Sequence, residues 1–200
     1  FPLHLSQRSV APALALGNAV VLKPASDTPV TGALIIAKIF EEAGLPAGVL
    51  NAVVGAGSEI GDAFVEHPTP RMISFTGSTA VGKRLLASCA GNLKRVSLEL
   101  GGKSPVVIYP DADLDRAIPG AAMGIFGNTG QICAAGSRLY VHEAIADEVI
   151  AGIAAVAEKL VLGPGLAAGT QLGPVISEVQ RRRVLDYVDS GRAEGAEVVT

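Results

Sequence analysis

Four short apolar runs, at residues 19–23, 49–54, 72–76 and 95–100, divide the first half of the chain into a repeating pattern. Each is too short for a buried helix and is flanked by Gly, Pro, Ser or Asn, so each predicts a strand. Between them lie segments with helical patterning. Thr28-Pro29 opens a helix over 30–43 that Gly44 closes, with Pro46 beyond. Further helices are expected from about Gly61 to Glu66 and from Gly77 to Cys89, and 6–16 predicts a first helix with Pro12 as its kink or boundary and Gly17-Asn18 as its end. A β-α-β-α-β-α-β order with short loops requires right-handed parallel crossovers and an open, Rossmann-like α/β sheet. Hydrophobic residues make up 49% of the chain and charged residues 18%, which suits strands covered on both faces.

The character changes at Gly101-Gly102, where a sharp change of direction costs least. Strands are expected at 105–109 and 138–142. Helices are expected at 111–126, with Pro119-Gly120 as a break, at 144–160, and at 177–190 with Ser177 as cap. Residues 197–200 predict the beginning of another strand. The domains read as 1–100 and 101–200. The chain is expected to be an internal piece of a longer protein, since Phe1-Pro2-Leu3-His4 reads as the middle of a domain.

Several function classes are disfavoured. Net charge is −3 with no basic block, so nothing points to nucleic acid. Aromatic residues are 4% and Trp is absent, which removes a base-stacking platform. No apolar run reaches the roughly 18 residues of a membrane span. The two cysteines, Cys89 and Cys133, read as free thiols, which implies a reducing, cytoplasmic setting.

Two strand-to-helix turns could hold phosphate. Gly55-Ala56-Gly57-Ser58-Glu59-Ile60-Gly61 has a spacing one residue longer than the usual dinucleotide fingerprint, and an ordinary close-packed glycine turn fits it equally well. Gly77-Ser78-Thr79 places hydroxyls and free amides at a helix start, a setting that favours anions and also suits a plain Ser/Thr cap. Together they favour a nucleotide at the carboxyl ends of the strands. Lys23 ends the first strand and either snorkels to water or bonds a ribose or phosphate, and Ser26 has the same choice.

Cys133 lies between Gly130 and Gly136 on a turn of small residues, where backbone and ligand can approach closely. Most cysteines are merely packed, and a free thiol needs amide dipoles or a cation to react well. Glu99 is the odd residue of Val96-Ser97-Leu98-Glu99-Leu100. A carboxylate in an apolar strand end must be solvated, paired or functional, so Glu99 is the candidate general base. Cys89 lies within a helical pattern and is assigned to packing. His4, His67 and His142 stand in unrelated contexts, and no metal-ligand cluster is visible.

Four motifs in order carry a resemblance that spans the chain: Gly17-Asn18-Ala19-Val20-Val21-Leu22-Lys23-Pro24, Phe75-Thr76-Gly77-Ser78-Thr79-Ala80-Val81-Gly82, Leu98-Glu99-Leu100-Gly101-Gly102-Lys103, and Gly130-Gln131-Ile132-Cys133 with Gly136-Ser137-Arg138. They resemble the aldehyde dehydrogenase superfamily. The resemblance implies NAD(P)-dependent oxidation of an aldehyde to its acid. Cys133 forms a thiohemiacetal and then a thioester, and Glu99 activates the hydrolytic water. It also implies that Lys23, Ser26, Gly57, Gly77, Ser78, Leu100 and Gly101 line an NAD or NADP site, with 1–100 the cofactor domain and 101–200 the catalytic one. The parent is expected to be a homo-oligomer, a dimer or tetramer. The family's oxyanion asparagine would precede Phe1, and its second cofactor glutamate has no counterpart here, so the piece alone is expected to be inactive.

Ser26 stands where NAD-preferring members often carry glutamate. A carboxylate about 4 Å from a 2′-phosphate would cost roughly 4 kcal/mol at an effective dielectric near 20. Serine removes that repulsion, so NADP is expected to be tolerated. The segment from Lys23 to Gly32 is similar to bacterial benzaldehyde and vanillin dehydrogenases, which implies aromatic substrates. The alternatives are a succinate-semialdehyde-type or other aliphatic aldehyde dehydrogenase, a CoA-acylating relative, which Glu99 disfavours, and a non-catalytic dinucleotide-binding fragment.

Overall fold

Apolar runs and glycine turns build two compact units in the computed structural model, which describes residues 1–200: Phe1–Glu99 and Leu100–Thr200. In the first, α1 (Pro2–Ala15) begins at a proline, whose missing N–H is no loss in a first turn, and buries Val10. It starts earlier than its sequence pattern suggests and runs through Pro12. The Leu16 amide still donates to the Pro12 carbonyl at 3.1 Å, and Gly17 then turns the chain at φ 80°.

Strand β1 (Val20–Leu22) pairs in parallel with β2 (Leu50–Ala52), Val20 opposite Leu50. The helix expected over 30–43 is two segments, a π-helical turn at Val30–Leu34 and then α2 (Ile35–Glu42). The widened turn coincides with a side chain from elsewhere: Ser6 Oγ donates to the Gly32 carbonyl at 2.7 Å. A Cβ on Gly32 would stand 3.3 Å from that of Pro24, a tight contact that glycine avoids. Ala33 and Ile36 are fully buried beneath it.

Helix α3 (Gly57–Glu66) leads to β3 (Met72–Gly77), α4 (Thr79–Ala90) and β4 (Arg95–Leu100). Strand β3 pairs with β4. The α/β class is as expected, but the four strands form two pairs and not one four-stranded ladder. Alternation dictates which elements follow one another, whereas a ladder needs matched edges, and none joins the β1–β2 pair to β3–β4. Helix α1 touches both pairs: it packs on β1, and Ser9 Oγ lies 3.1 Å from Ser74 Oγ of β3.

In the second unit, β5 (Pro105–Ile108) pairs in parallel with β6 (Arg138–Val141). Between them α5 (Leu114–Phe126) continues through Pro119-Gly120, where a break is expected from sequence. Its buried Ala121 and Ala122, just beyond the proline, anchor the second half of the helix. A 3₁₀ turn at Glu143–Ile145 enters α6 (Ala146–Glu158), which packs on α5. The core is Ile108, Ala121 and Val149, flanked by Val106, Ile118, Val141 and Ile153. Fully burying a Val or Ile side chain contributes roughly 1.5–3 kcal/mol. Ser177 caps α7 (Glu178–Ala193), its Oγ accepting from the Gln180 amide, and none of that helix's side chains is buried. Residues 197–200 are not a strand, because they have no partner with which to form a ladder. No helix is long and apolar enough to cross a membrane.

Candidate active site

At the end of β3, a Cβ on Gly77 would collide with the Phe75 ring as it is placed, so a larger residue here would force that ring to move. Ser78 then caps α4, its Oγ accepting from the Val81 amide at 3.4 Å. The Thr79 and Ala80 amides make no hydrogen bond within the unit. The serine is thus an ordinary cap, and two free N–H groups remain at the positive end of the helix dipole.

The turn after β2 leaves a similar end. Helix α3 begins at Gly57 with no side-chain cap, and nothing lies within 4 Å of where a Gly57 Cβ would be. Ile60 folds over Gly55 so closely that a Cβ there would meet its Cδ1 at 2.8 Å. Lys23 reaches the same corner: its Nζ donates to the Pro24 carbonyl at 2.6 Å and the Gly55 carbonyl at 3.4 Å. So Lys23 does not simply point to water; it ties the end of β1 to the turn after β2. Ser26 is exposed on the adjoining turn, which closes from the Thr28 amide to the Ala25 carbonyl.

Glu99 lies on β4 and its side chain is 51% exposed, so it is solvated rather than enclosed. It is also paired, with Arg8 Nη2 3.6 Å from Glu99 Oε1. Arg8 is the partner of Glu99 that sequence reasoning misses. Its place on α1 is legible, but which helix faces β4 is not.

Leu100, where the second unit begins, is the last residue of its strand and Gly101 opens the loop beyond it, where a Gly101 Cβ would meet nothing. A Cβ on Gly102 would stand 3.7 Å from the Cys133 carbonyl oxygen, so this unit brings Gly102 to the thiol's turn. Cys133 is exposed and unpaired, whereas Cys89 is buried. The Ala135 amide donates to the Ile132 carbonyl at 3.1 Å, which places Cys133 at the first corner of a tight turn. Within the unit the Cys133 amide donates to nothing, leaving an N–H beside the thiol. Ala135 is buried, and the Gly136 amide donates to the Gly124 carbonyl at 3.0 Å, fixing the turn to α5.

Ahead of the thiol, Asn128, Thr129 and Gly130 are all left-handed, at φ 52°, 56° and 70°. For a non-glycine residue that region costs roughly 1–2 kcal/mol, most for a β-branched one such as Thr129. No group of three or more His, Cys, Asp or Glu could hold a metal ion.

The chain thus offers an exposed thiol beside a free amide and, after two of its strands, helix starts with free amides that favour anions. The family model of the aldehyde dehydrogenase family matches residues 1–200, and the chain belongs to that family. It is 53% identical to a vanillin dehydrogenase of Corynebacterium glutamicum over 200 residues, 99% of this chain and 41% of that protein. It is 50% identical to a phenylacetaldehyde dehydrogenase of Pseudomonas fluorescens, covering 100% of this chain and 39% of the relative. The crystal structure of a NAD-dependent benzaldehyde dehydrogenase from Corynebacterium glutamicum superposes with a TM-score of 0.92 at 52% identity, over 98% of this chain and 42% of that one. The chain thus spans about two fifths of the length of these relatives.

Proposed function

We propose that this chain carries the nucleophile and the general base of an aldehyde dehydrogenase that converts an aromatic aldehyde to its carboxylic acid. The observation that carries the reading is the Cys133 turn, with the thiol exposed and the adjacent amide free within its unit. The Cys133 thiolate adds to the aldehyde carbon, and the new oxyanion is met by the Cys133 N–H. Loss of hydride from that carbon leaves a thioester on Cys133. Glu99 takes a proton from water, the hydroxide adds to the thioester, and the acid departs as the thiolate reforms.

A nicotinamide dinucleotide fits the chain's own groups. The open amides at Gly57 and Thr79 suit its phosphates, with Gly77 and Ser78 shaping the second turn, and Lys23 and Ser26 suit its adenosine ribose. Leu100 and Gly101 lie at the nicotinamide end in this reading. When bound, the cofactor supplies the hydride acceptor. Residues 1–100 form the cofactor domain and 101–200 the nucleophile's domain. NAD is the cofactor, and Ser26 leaves room for the additional phosphate of NADP. Two free cysteines suit a reducing cytoplasm, and the working enzyme is a homo-oligomer.

The test is steady-state oxidation of benzaldehyde by the full-length protein, with NAD and NADP in parallel. Replacement Cys133→Ser is expected to reduce kcat by about 10³-fold or more while the protein stays folded. An active serine variant overturns the mechanism. Strict refusal of NADP overturns the role of Ser26, and preference for an aliphatic aldehyde overturns the substrate class alone.

A further inference from the structure

One residue, Gln131, separates the left-handed turn at 128–130 from the thiol's own turn at 132–135, and the hydrogen bonds around it involve Gln131 repeatedly. The Gln131 Nε2 donates to the Asn128 carbonyl at 3.3 Å and to Thr129 Oγ1. The Gln131 amide donates to the same carbonyl at 3.1 Å, and Asn128 Nδ2 returns a bond to the Gln131 carbonyl at 3.3 Å. Thr129 Oγ1, which accepts from Gln131, itself donates to the Asn128 carbonyl at 2.6 Å. None of residues 127–130 is fully buried, so the unusual backbone is not enclosed in the core. What holds Thr129 in a region hostile to β-branched residues is this set of polar contacts.

On the far side of the thiol a second clamp operates. The Gly136 amide bonds the Gly124 carbonyl at 3.0 Å, and a Cβ on Gly136 would stand 2.6 Å from Val106 Cγ2. Cys133 lies midway between the Gln131 and Gly136 clamps. If the first is released, Thr129 can relax to negative φ, which redirects the chain just before the nucleophile while the second clamp stays fixed.

We propose that Gln131 is a positioning residue for Cys133: its carboxamide holds the left-handed turn and so sets where the thiol and its N–H stand. This rests on the assignment of Cys133 as nucleophile. Gln131 touches no reacting atom, and acts only through the turn.

The experiment uses the full-length enzyme and compares wild type, Gln131→Ala, and Gln131→Ala combined with Thr129→Gly. Misplacing a reacting group by about 1 Å can cost on the order of 10²-fold, so Gln131→Ala is expected to lower kcat roughly 10- to 100-fold, with KM within about threefold of wild type. Alkylation of Cys133 by iodoacetamide is read alongside, and its rate is expected to change in the same variant. Glycine adopts the left-handed region freely, so Thr129→Gly removes the need for the latch and is expected to restore most of kcat. A residue that acted on the substrate, or merely on stability, would not be rescued in this way. If the alanine variant does not fold, Gln131→Glu keeps the length, lacks the amide donor, and carries the same expectation. An unimpaired Gln131→Ala enzyme, or a loss undiminished by Thr129→Gly, overturns the inference. Cys133→Ser, measured in parallel, separates the two claims. If it is inactive while Gln131→Ala is unimpaired, this inference alone falls; if it is active, the nucleophile assignment falls and takes this one with it.

Discussion

The chain's two cysteines occupy opposite kinds of ground. Cys89 ends α4 at 1% exposure, in the core of its unit, and its carbonyl accepts from the Asn92 and Lys94 amides as the chain leaves the helix. Cys133 is exposed at a turn corner, and its neighbours are glycine, alanine and a strained threonine. The first is held by apolar packing and the second by backbone and carboxamide hydrogen bonds. Packing excludes reagents together with water, whereas a hydrogen-bonded turn can hold a thiol in place and still leave it open. The difference lies in the neighbours, since the side chain is the same.

The largest expected effect follows directly. In the native full-length protein, iodoacetamide is expected to label Cys133 and leave Cys89 almost untouched. Cys89 can react only through an opening of the structure, and the free energy of such openings rises towards that of global unfolding. Native stabilities of about 5–15 kcal/mol leave room for a rate ratio of roughly 10³ or more. Peptide mass spectrometry of timed samples measures both sites, and denaturant should make them equal. Comparable native rates would break the contrast.

Sequence made this contrast partly legible. Cys89 sits in an apolar periodic segment, so its packing role follows from helical spacing. Cys133 stands between glycines, so an open turn follows from composition. What sequence does not carry is how the turn is held. Asn128 is a residue type that tolerates positive φ, but nothing in the type of Thr129 marks its torsions, since a β-branched residue is a poor choice there. The bond from Lys23 to the Gly55 carbonyl and the pairing of Arg8 with Glu99 join segments far apart in sequence, and local patterning is blind to both. The division of the strands into two pairs is likewise a matter of edges meeting in space. Helix continuity through Pro119, where a break is expected, was hidden for a related reason, because packing beyond a proline can outweigh its local penalty.

A smaller effect sharpens the comparison from the buried side. Cys89→Ser exchanges a sulfur for a hydroxyl in apolar surroundings. An unsatisfied hydroxyl there is expected to reduce unfolding free energy by about 1–3 kcal/mol. Denaturant unfolding measures that loss, and kcat per folded molecule should hold within about twofold, because the effect is confined to the core. A large fall in kcat at unchanged stability would place Cys89 in the chemistry and erase the distinction drawn between the two thiols.

The smallest effect concerns the third candidate group, Glu99, which shares a unit with Cys89 but has the exposure of a surface residue. Its partner Arg8 is 40% exposed, and the separation of 3.6 Å is long for a charge-assisted hydrogen bond. Such pairs gain little, since each charge is well solvated when apart, so Arg8→Met is expected to change stability by less than about 1 kcal/mol. Screening supplies a second handle. The Debye length falls from about 30 Å at 0.01 M salt to about 10 Å at 0.1 M, so raising ionic strength should shrink whatever difference separates wild type from Arg8→Met. A salt-insensitive loss above about 2 kcal/mol would mean that Glu99 is shielded from solvent. The candidate base would then be held as Cys89 is, by its surroundings, and its freedom to meet a water would have to come from movement of α1.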